Sequence, residues 1–288
     1  MIKVRVPGTS ANLGPGFDCF GIGYELYNTY SVELSDTLVI EGCDKRFCNE
    51  ENLFYQAYLK GIKDLGIKDS IHVIFATQVP VSRGLGSSAS LIIGGLKAAS
   101  ALHGNQLSDE RIMQLATQME KHPDNLAPAL YGGLIAAMFV GDEVCVMKKE
   151  VCKDYYFTLM IPDFEVATEA ARKILPKSIS LKKAALNVAH ACFLLEALQD
   201  GNDKVLKEAS KDYFHEDYRA KLIADYEPLR QQVLDQGALT FMISGSGPCC
   251  VAISRDPKLD KKIKKTNLKA NWVFKTCPVS YKGTIVEV

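Results

Sequence analysis

The stretch Pro80-Val-Ser-Arg-Gly-Leu-Gly-Ser-Ser-Ala-Ser90 lies between two apolar runs, Ile71 to Val79 and Leu91 to Leu102. The first is rich in β-branched residues and reads as a strand, and the second reads as a buried helix. The chain must therefore pass from strand to helix through a short loop. Gly84 and Gly86 let that loop turn sharply and let backbone approach a ligand without a Cβ in the way. Ser87 and Ser88 are expected to cap the helix and to add hydroxyls. The first-turn N–H groups and the positive end of the helix dipole suit an anion, and a polyphosphate above all. Taken alone, Gly-x-Gly-Ser-Ser is more often a glycine turn with a serine cap. No lysine follows Gly86, so this is not the Walker A loop, and the third glycine of Gly-x-Gly-x-x-Gly is missing.

Upstream, Ile2 to Val6 alternates as a strand, and Tyr27 to Leu34 is the next strand-like run. Pro7 to Gly21 between them holds four glycines and reads as a long, repeatedly turning loop. Loops of that length in compact domains are usually functional. Ser10, Asn12 and Asp18 could fix a small polar substrate or satisfy turn backbone. Val39 to Asn52 reads as strand and turn, and Asn52 is a good N-cap for an amphipathic helix running to about Leu65.

Two of these segments carry a family signature. Pro80 to Ser90 resembles the Pro-x3-Gly-Leu-Gly-Ser-Ser-Ala motif of the GHMP kinases, which include galactokinase and the homoserine, mevalonate and phosphomevalonate kinases. The resemblance implies that Pro80, Val81, Ser82, Arg83, Gly84, Leu85, Gly86, Ser87, Ser88, Ala89 and Ser90 form the ATP-binding loop. Thr9-Ser-Ala-Asn-Leu-Gly-Pro-Gly-Phe-Asp18 resembles the first motif of homoserine kinases in particular, implying that Asn12 and Asp18 contact an amino-acid substrate. Asn52, in Asn-Leu-x-x-x-Ala, would then border the adenine pocket.

Ser108 to Glu120 reads as a Ser-capped amphipathic helix ending on Glu120. A carboxylate is unfavourable at a helix C-terminus, and Mg²⁺ beside bound phosphates would compensate it. A solvated carboxylate is the alternative. Ser88 and Glu120 are the expected metal ligands. Lys121-His-Pro-Asp-Asn-Leu-Ala-Pro-Ala-Leu-Tyr-Gly-Gly-Leu134 reads as a tight turn into a small-residue strand, and it resembles a homoserine kinase signature in which glycine stands in place of Lys121. His122 reads as a turn histidine bonded to backbone. Asn125 falls where mevalonate and galactose kinases are thought to keep an activating aspartate nearby, so no general base is assigned.

Further along, Tyr155 to Pro162 reads as a strand, and Thr168 to Pro176, Leu181 to Leu198, Asn202 to Phe214 and Asp225 to Gln236 read as helices. Ala238 to Ile253 reads as two strands joined by Ser244-Gly-Ser-Gly-Pro248, a turn needing positive φ that also matches the third GHMP motif. A helix over Pro257 to Leu268 and strands near Trp272 to Val279 and Thr284 to Val288 are expected to close this half. Arg172 and Arg219 would ordinarily be solvated helix charges. Both match arginines of homoserine kinases, and a forked guanidinium suits a carboxylate or a phosphoryl group. Ala224-Asp225 replaces the usual Pro-Gly.

This order of elements predicts an α+β fold in two halves, residues 1–150 and 151–288. The resemblance implies a two-domain GHMP kinase fold, with a half like ribosomal protein S5 domain 2 followed by a ferredoxin-like half. It implies ATP-dependent phosphorylation of L-homoserine in threonine biosynthesis. Asn125, Arg172 and Arg219 would be catalytic and would bind substrate with Asn12 and Asp18; ATP and Mg²⁺ would be required, and a homodimer is expected. A GHMP kinase of another small alcohol, or a silent ligand-binding relative, is the alternative. Lys+Arg and Asp+Glu both number 34, so bulk charge gives no reason to expect a nucleic-acid or membrane-surface partner. Nine scattered cysteines without a Cys-x-x-Cys pair suggest a reduced, cytoplasmic protein, and no apolar run reaches membrane-span length.

Overall fold

A computed structural model describes residues 1–287. The first half contains β1 (Ile2–Ala11), β2 (Phe20–Ser35), β3 (Val39–Glu41), β4 (Ser70–Ala76), β5 (Leu134–Val140) and β6 (Glu143–Lys149), with helices α1 (Leu53–Asp64), α2 (Ser87–Leu102), α3 (Asp109–Thr117) and α4 (Pro123–Tyr131). The second contains β7 (Tyr156–Pro162), β8 (Thr240–Ile243), β9 (Cys250–Ser254) and β10 (Trp272–Cys277), with α5 (Thr168–Lys173), α6 (Leu181–Asp200), α7 (Asp203–Ala209), α8 (Glu216–Arg219), α9 (Tyr226–Asp235) and α10 (Leu259–Lys262). A last strand, β11 (Ile285–Glu287), follows.

The first sheet runs β11-β1-β2-β4-β3, with β5 also pairing β2 and β6 pairing β5. The second is antiparallel in the order β10-β7-β9-β8. Alternation in β1 and β4 sends Val4, Val6, Ile71 and Val73 inward against α1 and α2, and Gly94 and Gly95 let these helices approach closely. A second apolar cluster joins the two sheets, with Tyr24 of β2 packed 5.9 Å, centroid to centroid, from Phe157 of β7. The loops at this junction are thereby fixed by cores on both sides.

Several expectations fail here for identifiable reasons. The Pro7–Gly21 segment is not all loop, because a register shift at Pro7/Gly8 lets β1 continue to Ala11, and β2 already begins at Phe20. The predicted strand after Lys121 is instead α4. Pro123 occupies its first turn, where no N–H is needed, and Pro128 sits inside the helix, where it cannot donate to the Asp124 carbonyl. That oxygen packs against Gly21, where a Cβ would lie 1.8 Å from it. α3 stops at Thr117, so Glu120 follows the helix rather than ending it. α7 stops at Ala209, and only Leu259–Lys262 of the predicted Pro257–Leu268 helix forms. The last strand pairs with β1 of the first sheet rather than closing the second, and Val288 lies outside the described residues. Lys121 keeps a negative φ, so the family's glycine is not needed there. Asp225 does adopt the left-handed conformation, φ +63°, and its carboxylate accepts from the N–H groups of Lys269 and Ala270 and from the Trp272 indole.

Candidate active site

Three glycine-rich segments meet where the halves join. Thr9 N–H donates to the Leu85 carbonyl, Gly245 N–H to Ala11 and Cys249 N–H to Arg83, each at 3.0 Å. The Ser244 hydroxyl donates to the Gly84 carbonyl. Gly84 and Gly86 have φ of +75° and +68°, and a Cβ on Gly84 would lie 2.3 Å from the Ser244 oxygen. The glycines are thus required twice, by the turn and by the neighbouring backbone.

Gly86, not a serine, is the N-cap residue of α2, and no side chain caps the helix. The expected serine cap is absent because both serines already lie within the first turn. The Ser88 hydroxyl instead donates to Glu120 Oε2 at 2.7 Å. Uncapped first-turn amides and the positive helix end remain at a cavity of about 520 Å³ lined by Gly84, Gly86, Ser87 and Ser88.

Of the residues singled out in the sequence, Asn12, Asp18, Asn52, Val81, Ser82, Arg83, Glu120, Asn125, Arg172 and Arg219 line the same cavity. Pro80, Leu85, Ala89 and Ser90 do not. Leu85 and Ala89 are buried in the core, and the Ser90 hydroxyl pairs with that of Tyr30 at 2.8 Å. The Arg83 guanidinium is spent on the carbonyls of Val81, Pro162 and Asp163 and on Glu165, tying the loop to the second half. Asn52 caps α1 through Phe54 and Tyr55 N–H and donates to the Phe47 carbonyl. Asn12, φ +67°, accepts from Asp18 N–H and donates to the Gly245 carbonyl, so it fixes the loop that presents Asp18. Asn125 accepts from the Thr9 hydroxyl at 2.8 Å.

The opposite wall is ionic. Arg172 forks onto Asp18 at 2.9 and 3.3 Å, and His122 Nδ1 lies 3.7 Å from the same carboxylate rather than bonded to backbone as expected. Arg219 is only 1% exposed and donates to the carbonyls of Ala171 and Gly245. Burial and the nearby Arg172 push it down to about 10, so it stays charged at neutral pH. Burial raises Glu120. Burial, with the charges of Asp18 and Glu120, pushes Asp124 up to about 7, and its Oδ1 has no hydrogen-bond partner among the described residues. Glu120, bonded to Ser88 in the first turn of α2, and Asp124, which lines the same cavity, are oxygen donors of the kind a hard cation takes.

Thr168, Ser246, Thr77, Arg46, Phe47, His122 and Asp124 also line the cavity. Thr168 could have been found, since it lies four residues before Arg172 on one helix face. Nothing in the sequence points to Arg46 or Phe47, which reach the cavity through the fold of the 42–52 loop.

Arg219 is steadied by a buried histidine. His215 Nε2 donates to the Gly14 carbonyl at 3.0 Å, leaving Nδ1 to accept from Arg219 Nη1 at 3.3 Å. Burial pulls His215 down to about 4. Between that value and the ordinary one near 6.5 the unfolded chain binds the proton and the folded chain does not, so stability is lost as pH falls across this window. Relative to the parent, His215→Gln should therefore gain melting temperature as pH is lowered from 6.5 toward 4, a comparison that cancels the opposite slope of the raised Asp124 and Glu216 carboxylates. Identical pH profiles for the two proteins would contradict this role.

Comparison with known proteins agrees with this geometry. Residues 52–133 match the GHMP kinase N-terminal domain model and residues 194–272 the GHMP kinase C-terminal model. A homoserine kinase of Clostridium botulinum (strain Okra) is 40% identical over 293 aligned positions, covering 100% of this chain and 99% of that protein. One of Clostridium beijerinckii is 42% identical, covering 92% and 91%. The crystal structure of homoserine kinase from Cytophaga hutchinsonii superposes with a TM-score of 0.91 at 30% identity, covering 99% of this chain and 96% of that one. Mevalonate kinase of L. major, solved with R-mevalonate, shares the fold at a TM-score of 0.72 and 17% identity.

Proposed function

Since this chain belongs to the GHMP kinases, and among them to the homoserine kinases, we propose that the cavity where its glycine-rich segments meet holds the triphosphate of ATP at the N-terminus of α2 and homoserine at the Asp18, Arg172 and Arg219 wall. The reaction is ATP-dependent phosphorylation of the L-homoserine hydroxyl, giving O-phospho-L-homoserine and ADP, a step toward threonine. The observation that carries the site assignment is the uncapped start of α2 facing an Arg–Asp–Arg cluster across one cavity.

Backbone amides of the Gly84–Ser88 loop bind the phosphates without any lysine. Asp18 attracts the substrate ammonium, while Arg172 and the rigidly held Arg219 take its carboxylate. Asn125, whose amide oxygen accepts from Thr9, orients the hydroxyl in this reading. Asn52, Arg46 and Phe47 border the base. Glu120 and Ser88 are suited to hold Mg²⁺, and the partnerless Asp124 oxygen fits a nearby positive charge. Mg²⁺, when bound, neutralises phosphate charge. The other side chains contribute alignment and electrostatics, which suffice for phosphoryl transfer without an evident base. The free state of all nine cysteines supports a cytoplasmic location, and a homodimer is proposed by family likeness.

A coupled ADP-release assay across homoserine, mevalonate, galactose and shikimate tests the substrate. Turnover confined to an alcohol lacking the amino-acid head would overturn the assignment of the ionic wall. In the same assay, Arg172→Ala should raise KM for homoserine by about tenfold or more, the loss expected for a charge-assisted pair, with KM for ATP little changed. A rise in KM for ATP with KM for homoserine unchanged would place Arg172 on the nucleotide side.

A further inference from the structure

Cys43 and Cys48 form a pair of neighbouring thiols that the kinase reaction does not use. Their sulfurs lie 3.7 Å apart at the two ends of a short loop containing a 3₁₀ turn over Lys45–Phe47. Cys48 is exposed and Cys43 is partly covered. Cys43, Asp44, Arg46 and Phe47 line the mouth of the cavity, and the Arg46 guanidinium lies 4.7 Å from the centre of the Phe47 ring. The loop is coupled to α1, because the Phe47 carbonyl accepts from Asn52, the residue that caps that helix.

We propose that Cys43 and Cys48 form a reversible intramolecular disulfide on exposure to a hydroperoxide, and that this cross-link alters nucleotide binding by reshaping the Asp44–Phe47 rim. A bonded pair of sulfurs stands about 2.05 Å apart, so closure needs a contraction of only about 1.6 Å. Cys48, the exposed thiol, is oxidised first. Its sulfur takes one peroxide oxygen as the O–O bond breaks, giving a sulfenic acid and water. The Cys43 sulfur then attacks the Cys48 sulfur, forming the S–S bond. Hydroxide leaves with the proton from Cys43 as a second water. Both sulfurs are oxidised, and the peroxide accepts the two electrons. Thiol–disulfide exchange with a low-molecular-weight dithiol reverses the step.

The contraction draws in the segment that carries Phe47 and pulls on the carbonyl that steadies Asn52. The effect on ATP rests on the kinase reading, whereas formation of the bond does not. Treatment of the purified protein with hydrogen peroxide, followed by alkylation and peptide mass spectrometry, should yield a linked Cys43–Cys48 peptide lighter by two hydrogens. KM for ATP should rise several-fold in the oxidised protein and return after dithiothreitol. Cys48→Ser should have ordinary activity and be insensitive to peroxide; Cys43→Ser should form no internal link. Absence of the linked peptide would overturn the proposal. So would a linked peptide with unchanged KM for ATP, or peroxide sensitivity retained in Cys48→Ser. If the linked peptide forms in a protein without kinase activity, the kinase reading fails while the thiol chemistry stands.

Discussion

Replacing Glu120 with alanine should lower kcat by about two orders of magnitude or more, the usual size of loss when one preorganised electrostatic group is removed from such a site. The fold should survive. Glu120 follows α3 rather than forming part of it, and its side chain accepts from the Ser88 hydroxyl. Burial disfavours its ionised form, so the unliganded protein gains little from keeping it charged. The residue is therefore held at a cost that a bound cation would offset. Circular dichroism and melting temperature should match the parent protein, while titration of Mg²⁺ in the presence of ADP should reveal weakened binding. Turnover within a few-fold of the parent at saturating Mg²⁺ would remove Glu120 from the metal site.

Gly84→Ala should be the second severe change, acting on stability and nucleotide affinity together. Its φ of +75° disfavours any Cβ, and the added carbon would meet the carbonyl oxygens of Ser244 and Gly247 at 2.3 and 2.8 Å. Neither is a flexible side-chain end, so the third glycine loop must move or the phosphate loop must open. Gly104→Ala is the matched control. Its φ is +80° and nothing lies within 4 Å of the new carbon. The control should lose only the left-handed strain, about 1–2 kcal/mol, and keep its KM for ATP. Gly84→Ala should lose more stability than that and raise KM for ATP at least tenfold. Equal behaviour of the two variants in both readouts would show that contact with the third loop is unimportant.

What the sequence revealed and concealed divides along physical lines. Gly84, Gly86, Asn12 and Asp18 were legible because positive φ and close backbone approach restrict residue choice, and that restriction leaves a local pattern. Arg172 and Arg219 were found by resemblance, since helical arginines carry no local sign of what they face. α4 was missed because prolines 123 and 128 read as breakers. One sits harmlessly at the helix start, and the other releases a carbonyl that packs against Gly21 of another strand, a long-range compensation. The rim residues Arg46 and Phe47 were invisible for the same reason, their role being set by where the 42–52 loop lands. Leu85, Ala89 and Ser90 belong to the motif, yet they face the core. A motif therefore records the residues that hold a loop in place as well as those that touch a ligand.

The pairing of β11 with β1 joins Lys3–Arg5 to Ile285–Glu287, with Arg5 bonded to Glu287 at 3.2 Å. β1 is covered on one edge by its sequence neighbour β2, whereas β11, which covers the other, stands 282 residues away along the sequence at the Arg5–Glu287 contact. An open strand edge invites pairing with another chain. Closing that edge therefore rests on a contact very distant along the sequence, and detachment of β11 would offer β1 as a template to a second molecule.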